Sequence, residues 1–236
     1  MSTIYIVATP LGNLKDISRR ALETLQAVDL ILCEDTRVTA KLLNFYQIKT
    51  PTLSYHQHSR LKRIDEILNL IKQGKNLAVV TDAGTPGIAD PGNQLIAQIL
   101  KLSQTENLPI KIVPIPGPAA LTAAASISGL PMDRFIFLGF PPTKKKRQKF
   151  FEEMINAPYA VIFYESPHRL WKTLNEIKEL LISRQLVDQY QWVICRELTK
   201  KFETVYRGTI DAVMNQLAKE EIKGEIVVVV SRLKNK

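Results

Sequence analysis

Four short apolar runs in the first half of the chain are each followed directly by a loop rich in glycine, proline or charged side chains. The loops are "TPLGN" (9–13), "EDTR" (34–37), "TDAGTPGIADPG" (81–92) and "PIPGPAA" (114–120). Glycine lets a ligand approach the backbone closely, and proline holds a loop in one shape, so that little ordering entropy is lost on binding. Loops of this composition suit a flat ligand that is held by main-chain groups, although glycine and proline also simply make turns.

Two charged segments in these positions could assist proton transfer. Asp35 and Arg37 follow the second apolar run, and "YESPHR" (164–169) places Glu165, His168 and Arg169 after a later one. A carboxylate can accept a proton from an attacking hydroxyl, and an arginine can orient that carboxylate or hold a phosphate. We therefore predict Asp35, Arg37 and Glu165 as catalytic residues. The alternatives are that Asp35 anchors its loop through backbone amides and that both segments form ordinary surface ion pairs.

The elements that position these loops follow from the periodicity. Short apolar runs predict strands at 3–8, 29–33, 77–80 and 110–115, with a weaker one at 52–56, and amphipathic spacing predicts helices at 18–26, 38–46, 60–72 and 93–102. Strands that alternate with helices predict an α/β domain with a largely parallel sheet, whose carboxyl edge collects the loops. Strand alternation also predicts that Glu34 points away from Asp35.

A second α/β unit is expected after the proline-rich loop, so we place the domains at 1–114 and 115–236. An alanine-rich helix is predicted as far as Ser128, and helices are predicted at 144–156, 168–183 and 210–220. Strands are predicted at 135–140, 159–164, 190–195 and 225–230, with 203–208 pairing beside one of them.

Charge and composition favour a polyanionic partner. The formal net charge is +9, which is typical of proteins that bind nucleic acid. The run "PTKKKRQK" (142–149) concentrates this charge, and we predict phosphate contacts for Lys144, Lys145, Lys146 and Arg147; a solvated helix face is the alternative. Cys33 and Cys195 lie in apolar runs, so we expect neither a disulfide nor a thiolate metal site, but a reducing, cytoplasmic location. No apolar run reaches membrane-spanning length.

Several common chemistries are excluded by missing motifs. The sequence has no glycine-rich dinucleotide fingerprint, no phosphate-binding loop and no His-Glu-x-x-His pair. His56 and His58 could be imagined as metal ligands, but no nearby residue completes a set, so we predict no metal.

Five segments together resemble the ribosomal RNA small-subunit methyltransferase I family, within the tetrapyrrole methylase-like superfamily. They are the segment from Tyr5 to Arg37, "TDAGTPGIADPG", "PGPAALTAAASISGLP", "FLGFPP" and "FYESPHR". The resemblance extends from Ile4 to about Val230. It implies a class III methyltransferase with two α/β domains, S-adenosyl-L-methionine in the cleft between them, 2'-O-methylation of a cytidine ribose in the decoding region of the small-subunit (16S) RNA, and a homodimer.

The resemblance also implies which residues contact the cofactor. They are Pro10, Leu11, Ala83, Gly84, Thr85, Ile88, Ala119, Ala120, Tyr164 and Leu198. Asp82 and Asp90 would provide a favourable field for the positive sulfonium, although Asp90 could instead cap the helix that follows it. Arg169 is predicted to contact RNA. Many members of this family continue into a short basic extension, whereas this sequence stops at "SRLKNK" (231–236), so we expect part of the RNA-binding apparatus to differ.

Two other functions remain open. The superfamily also methylates tetrapyrroles, which would make the protein a small-molecule enzyme of corrin or haem synthesis. A protein that binds RNA without catalysis is the other alternative, but it would be expected to lack the cofactor loops, which are intact. The substrate is therefore expected to be small-subunit RNA or the assembled subunit.

Overall fold

The structure is a computed structural model that describes residues 1–55, 61–90 and 92–233. These residues divide into two compact units, Met1–Ala119 and Ala120–Lys236. The division lies five residues beyond the predicted domain boundary, because the proline-rich loop belongs to the first unit and the helix that begins at Ala120 opens the second.

The first unit is built on one five-stranded parallel sheet, with strand order β3-β2-β4-β1-β5. The strands are β1 (Ser2–Val7), β2 (Leu30–Cys33), β3 (Thr52–Ser54), β4 (Leu77–Val79) and β5 (Ile110–Ile115). The helices are α1 (Arg19–Ala27), α2 (Thr36–Phe45), α3 (Leu61–Lys72) and α4 (Gly92–Thr105). The predicted alternation of strands and helices, and the parallel sheet, are confirmed.

Both faces of this sheet are buried, which explains why its strands are continuous apolar runs rather than alternating ones. Neighbouring residues of β4 pack into different cores, with Ala78 on one face and Leu77 and Val79 on the other. The helices cover these faces, and side chains cap their first turns: Ser18 accepts from Ala21 N before α1, and Asp35 accepts from Arg37 N before α2. The capped start places α2 two residues earlier than predicted.

The second unit contains a mixed five-stranded sheet, with strand order β6-β7-β10-β8-β9. The strands are β6 (Phe135–Phe137), β7 (Ala160–Glu165), β8 (Tyr190–Arg196), β9 (Thr204–Gly208) and β10 (Ile226–Arg232). The helices are α5 (Ala120–Ser128), α6 (Arg147–Ile155), α7 (Pro167–Ser183) and α8 (Ile210–Leu217). β6 and β7 pair in parallel, and the other neighbouring strands of this sheet pair antiparallel. Strand β9 pairs with β8, as expected for residues 203–208.

Helix α6 begins three residues later than predicted, at Arg147. Lys146 precedes it in a left-handed conformation with φ +66°, which ends any helical path from Lys144. The basic run is therefore mostly a loop. His56 and His58 lie outside the described residues, so the structure does not test the prediction that they bind no metal.

Candidate functional site

The carboxyl edge of the first sheet brings the predicted loops together. Thr9 and Gly84 form an isolated antiparallel bridge just beyond β1 and β4, with N to O distances of 2.9 and 3.1 Å. Gly84 has φ +87°, and a Cβ there would lie 3.2 Å from Leu11 Cδ2 and 3.7 Å from the Pro118 carbonyl oxygen. Thr85 Oγ1 donates to that same carbonyl at 2.9 Å. Three of the four loops therefore touch at Gly84, where only glycine fits without strain.

The remaining loop, "EDTR" (34–37), is joined to the loop after β4 by hydrogen bonds. Asp82 accepts a hydrogen bond from Asp35 N at 3.1 Å, which ties the loop after β4 to the loop after β2. Glu34 accepts from Thr81 Oγ1 at 2.6 Å and lines a small cavity with Tyr55 and Asp90. Asp35 instead caps α2 and forms a bidentate ion pair with Arg37, whose side chain is 88% exposed.

The environments of these carboxylates shift their pKa values in opposite directions. The Arg37 guanidinium and backbone N–H hold the pKa of Asp35 at about 2. Burial raises the pKa of Glu34, and Thr81 only partly offsets this. Partial desolvation by the surrounding loops and the nearby charge of Asp35 raise the pKa of Asp82, although its residue is largely exposed. Asp35 is therefore ionised at neutral pH, but it is a weaker base than an ordinary aspartate.

Asp90 has a structural role in the loop. Its carboxylate accepts from the backbone N–H groups of Gly87 and Gly92, at 2.7 Å in both cases, immediately before α4. These contacts correspond to the capping alternative, and they hold the Gly87 turn in place without an external ligand.

The side chains around Gly84 in the first unit are chemically suited to bind S-adenosyl-L-methionine. Leu11 is a buried apolar neighbour of Gly84, and Pro10, which precedes it in the chain, is also buried. Ala119 approaches the same point with its Cα 4.0 Å from where a Cβ would lie. Ala83 and Thr85 are half-buried and Ile88 is exposed, so the loop offers small and apolar surface to a ligand. Asp82 is exposed at this edge and provides negative charge for a sulfonium.

The remaining residues predicted to contact the cofactor belong to the second unit. Leu198 is buried in the core on one face of the second sheet, against which Ala120 and Tyr164 pack. The prediction that they share a pocket with the first unit concerns the arrangement of the two units and stays a prediction.

Glu165, which was predicted as a catalytic residue, lies at the centre of a buried network. Its side chain is 0% exposed. It accepts from Ser166 N at 2.8 Å and Thr173 Oγ1 at 2.5 Å, and it pairs with Arg169 at 3.3 Å. These internal contacts and the buried side chain fit a structural role for Glu165, and its catalytic role stays a prediction.

Arg147, which was predicted to contact RNA, joins the same network. Its side chain is only 9% exposed, and it donates to Glu176 at 2.6 Å, Thr173 Oγ1 at 2.7 Å and the Pro142 carbonyl at 3.1 Å. Its guanidinium also lies over the Phe151 ring at 4.9 Å. Its nitrogens are thus engaged within the unit, whereas Lys144, Lys145 and Lys146 are exposed and keep the predicted role.

Two features of this second unit were not predicted. Thr173 links Arg147 to Glu165 although it lies eight residues after the glutamate on a separate element, and nothing in its sequence neighbourhood marks it. Phe140 is exposed in the loop before the lysines. The segment "FPP" followed by a basic run could have indicated this exposed aromatic residue.

Neither a metal cluster nor a membrane helix is found in the described part of the chain. Residues 1–55, 61–90 and 92–233 contain no group of three or more His, Cys, Asp or Glu side chains that could hold a metal ion. No helix within these ranges is long and apolar enough to cross a membrane.

Solved structures with the same fold define the class of protein. A cobalt precorrin-4 methyltransferase of cobalamin biosynthesis superposes with a TM-score of 0.67 at 18% identity, over 97% of this chain and 94% of that one. A uroporphyrin-III-C-methyltransferase from Thermus thermophilus gives a TM-score of 0.62 at 16% identity, over 96% and 93%. Residues 3–214 match the family model described as "Tetrapyrrole (Corrin/Porphyrin) Methylases". The fold is that of the class III methyltransferases.

Closer relatives narrow the class to one family. Proteins named ribosomal RNA small subunit methyltransferase I are 44% identical in Synechocystis sp., over 98% of this chain and 79% of that protein, and 44% identical in Thermotoga maritima, over 98% and 99%. The Bacillus subtilis protein of this name is 39% identical over 100% of this chain and 77% of its own length. The chain belongs to the ribosomal RNA small subunit methyltransferase I family.

Proposed function

We propose that this protein transfers a methyl group from S-adenosyl-L-methionine to the 2'-hydroxyl of a cytidine ribose in the decoding region of small-subunit (16S) ribosomal RNA. The observation that carries the proposal is the 44% identity to relatives of that name over 98% of the chain. The loops at the carboxyl edge of the first sheet are complete, which supports a catalyst rather than a protein that only binds RNA.

Binding of the methyl donor is assigned to the first unit. The cofactor supplies an electrophilic methyl group on a positively charged sulfur. Gly84 leaves room for close approach to the backbone, Leu11 and Pro10 provide an apolar wall, and Asp82 stabilises positive charge at the edge. The Thr9–Gly84 and Thr85–Pro118 hydrogen bonds hold these loops before the ligand arrives, which limits the ordering entropy lost on binding.

Proton removal from the ribose hydroxyl is assigned to Asp35. The hydroxyl becomes acidic as its oxygen bonds to the methyl carbon, so a carboxylate with a pKa of about 2 can still accept the departing proton. Arg37 holds Asp35 in place and has an exposed guanidinium that can also contact the neighbouring phosphate. The rest of the rate enhancement comes from aligning the hydroxyl with the methyl group.

RNA binding is assigned chiefly to Lys144, Lys145 and Lys146. They are consecutive exposed cations in a chain of net charge +9, and RNA phosphates are their natural partner. Arg169 is a weaker candidate, because it already pairs with Glu165 and donates to the Pro141 carbonyl. A ribosomal substrate implies action in the cytoplasm, and we expect a homodimer from the family resemblance.

Methylation of a tetrapyrrole is the alternative function. The two solved methyltransferases of that chemistry share the fold, but at 16–18% identity they do not indicate the substrate. The consecutive lysines favour the RNA substrate.

The decisive experiment compares small subunits from cells with and without this protein by mass spectrometry of the ribosomal RNA. We expect one ribose methylation to disappear in the deletion strain and to return when the purified protein and S-adenosyl-L-methionine are added to its subunits. An unchanged modification pattern, together with methylation of a uroporphyrin or precorrin substrate, would refute the RNA assignment.

A further inference from the structure

Phe140 is held open to solvent at the end of an aromatic series in the second unit. The Phe140 residue is 51% exposed. Its ring makes an edge-to-face contact with Tyr164 at 5.4 Å, and Tyr164 makes another with Phe137 at 4.9 Å. The ring is therefore supported on one side by packed aromatics, while about half of the residue faces water.

The loop that carries Phe140 is fixed at several points. Gly139 O accepts from Tyr164 N at 2.9 Å. Arg169 donates to the Pro141 carbonyl and Arg147 donates to the Pro142 carbonyl at 3.1 Å. The buried carboxylate of Glu165 holds Arg169 directly and Arg147 through Thr173.

Such anchoring has a consequence for the exposed ring. A phenylalanine in an adaptable loop would fold inward, because burying its apolar surface is favourable. Here the two prolines and the hydrogen bonds from Arg147 and Arg169 to their carbonyls restrain the loop backbone. A rigid aromatic surface in water is what a stacking ligand needs, since little conformational entropy is lost on binding.

The neighbouring charges indicate the kind of ligand. Lys144, Lys145 and Lys146 are exposed on the same loop, within six residues of Phe140. Proteins bind single-stranded nucleic acid by combining cations that contact phosphates with aromatic rings on which bases stack. An apolar ligand would not require the lysines, and phosphates alone would not require the ring.

We propose that Phe140 is a stacking surface for an unpaired base of the RNA substrate, next to the phosphates that Lys144, Lys145 and Lys146 contact. This inference rests on the proposed function, and it adds a residue that recognises the unstacked strand. Arg147 and Arg169 are positioning residues in this arrangement, because they hold the loop and Phe140 makes the contact.

The test is RNA binding by Phe140→Leu, which keeps an apolar side chain but removes the aromatic face. With a transcript of the decoding region as the probe, we expect affinity to fall about 10-fold or more, within the range found for loss of one stacked base. Stacking releases no counterions, so the slope of log affinity against log salt should stay that of the parent. Phe140→Trp should retain parental affinity.

A matched control is Phe45→Leu. Phe45 is 59% exposed and also makes an edge-to-face contact with a tyrosine, Tyr46, at 4.9 Å, but it lies on α2 of the first unit. We expect its RNA affinity to match the parent. Binding of S-adenosyl-L-methionine, measured by calorimetry, should be the same in all three variants.

Equal RNA affinities of Phe140→Leu and Phe45→Leu would overturn the inference. A reduced salt slope in Phe140→Leu would also overturn it, because it would mean that the lysines had moved. So would a Phe140→Leu variant that loses affinity for the cofactor while its RNA affinity stays intact. If the parent itself neither binds the transcript nor methylates small subunits, the proposed function fails. Methylation by the parent together with an unaffected Phe140→Leu variant refutes only the stacking role.

Discussion

Replacement of Arg147 by methionine tests whether this residue is part of the internal framework or contacts RNA. Methionine preserves much of the side-chain length and can pack on the Phe151 ring, but it removes all three hydrogen bonds, to Glu176, Thr173 and the Pro142 carbonyl. The change thus isolates the charge and its donors.

The expected loss of stability depends on whether each partner of Arg147 finds another hydrogen bond after the substitution. Breaking a buried ion pair by removing one member typically costs about 3–5 kcal/mol. Glu176 is 33% exposed and regains water, whereas Thr173 still donates to the fully buried Glu165. We therefore expect the low end of the range, about 3 kcal/mol.

Tryptophan fluorescence in urea is a suitable assay, because Trp171 and Trp192 both belong to the second unit and Trp171 lies on α7 with Thr173 and Glu176. A loss of about 3 kcal/mol lowers the urea midpoint by about 1–2 M for a unit of this size. The matched control is Arg184→Met, which removes a partly exposed ion pair with Glu152. That variant should lose less than about 1 kcal/mol.

The RNA measurement on folded Arg147→Met completes the test. A residue that contacts no phosphate leaves the salt slope unchanged, whereas loss of one phosphate contact reduces it by about 0.7–0.9. A urea midpoint equal to that of Arg184→Met, together with a reduced salt slope, would refute the structural role and show that Arg147 contacts RNA.

Four further predictions concern the proposed site. Replacing Lys144, Lys145 and Lys146 together with alanine should weaken binding of the decoding-region transcript and reduce the salt slope by about 2, because fewer counterions are released; a parental slope would assign the lysines to solubility. Asp35→Asn keeps a good N-cap residue for α2 but removes the base, so single-turnover methylation at saturating substrates should fall by a factor on the order of 10²; parental turnover would show that alignment alone suffices. Ala83→Trp should abolish binding of S-adenosyl-L-methionine in calorimetry without the backbone strain that any side chain at Gly84 would introduce, and unchanged affinity would remove this loop from the cofactor site. The raised pKa of Glu34 means that its ionisation destabilises the folded state, so stability is lost as pH rises through the folded pKa. In calorimetric unfolding, the stability of Glu34→Gln should match that of the parent below about pH 4 and exceed it at pH 7. A difference in stability that does not change with pH would contradict the raised pKa.

Short-range pattern in the sequence was sufficient to predict most of the fold. The runs "IYIV" and "LAVV" predict buried strands because a parallel sheet covered on both faces contains no alternating polar positions. The spacing of helices between strands then places "TPLGN", "EDTR" and "TDAGTPGIADPG" at one edge, and the Thr9–Gly84 bridge joins two of them there. The predicted start of α6 was wrong by three residues, because a run of like charges reveals neither the left-handed conformation of Lys146 nor the contacts of Arg147.

The sequence by itself determined the strand and helix order, the glycine loops beyond the strands, the surplus of positive charge and the family resemblance, since each depends on residue types and their spacing along the chain. Tertiary structure alone decided which charged side chains face water. Arg147 and Lys146 are adjacent and equally cationic, yet the first is enclosed by Glu176 and Thr173 while the second is exposed. Glu165 likewise lies at the carboxyl end of a strand as a catalytic carboxylate would, but Thr173 and Arg169 from α7 enclose it. The partners that enclose these groups come from other elements, up to 29 residues away, so burial and the roles that depend on it follow from packing rather than from local sequence.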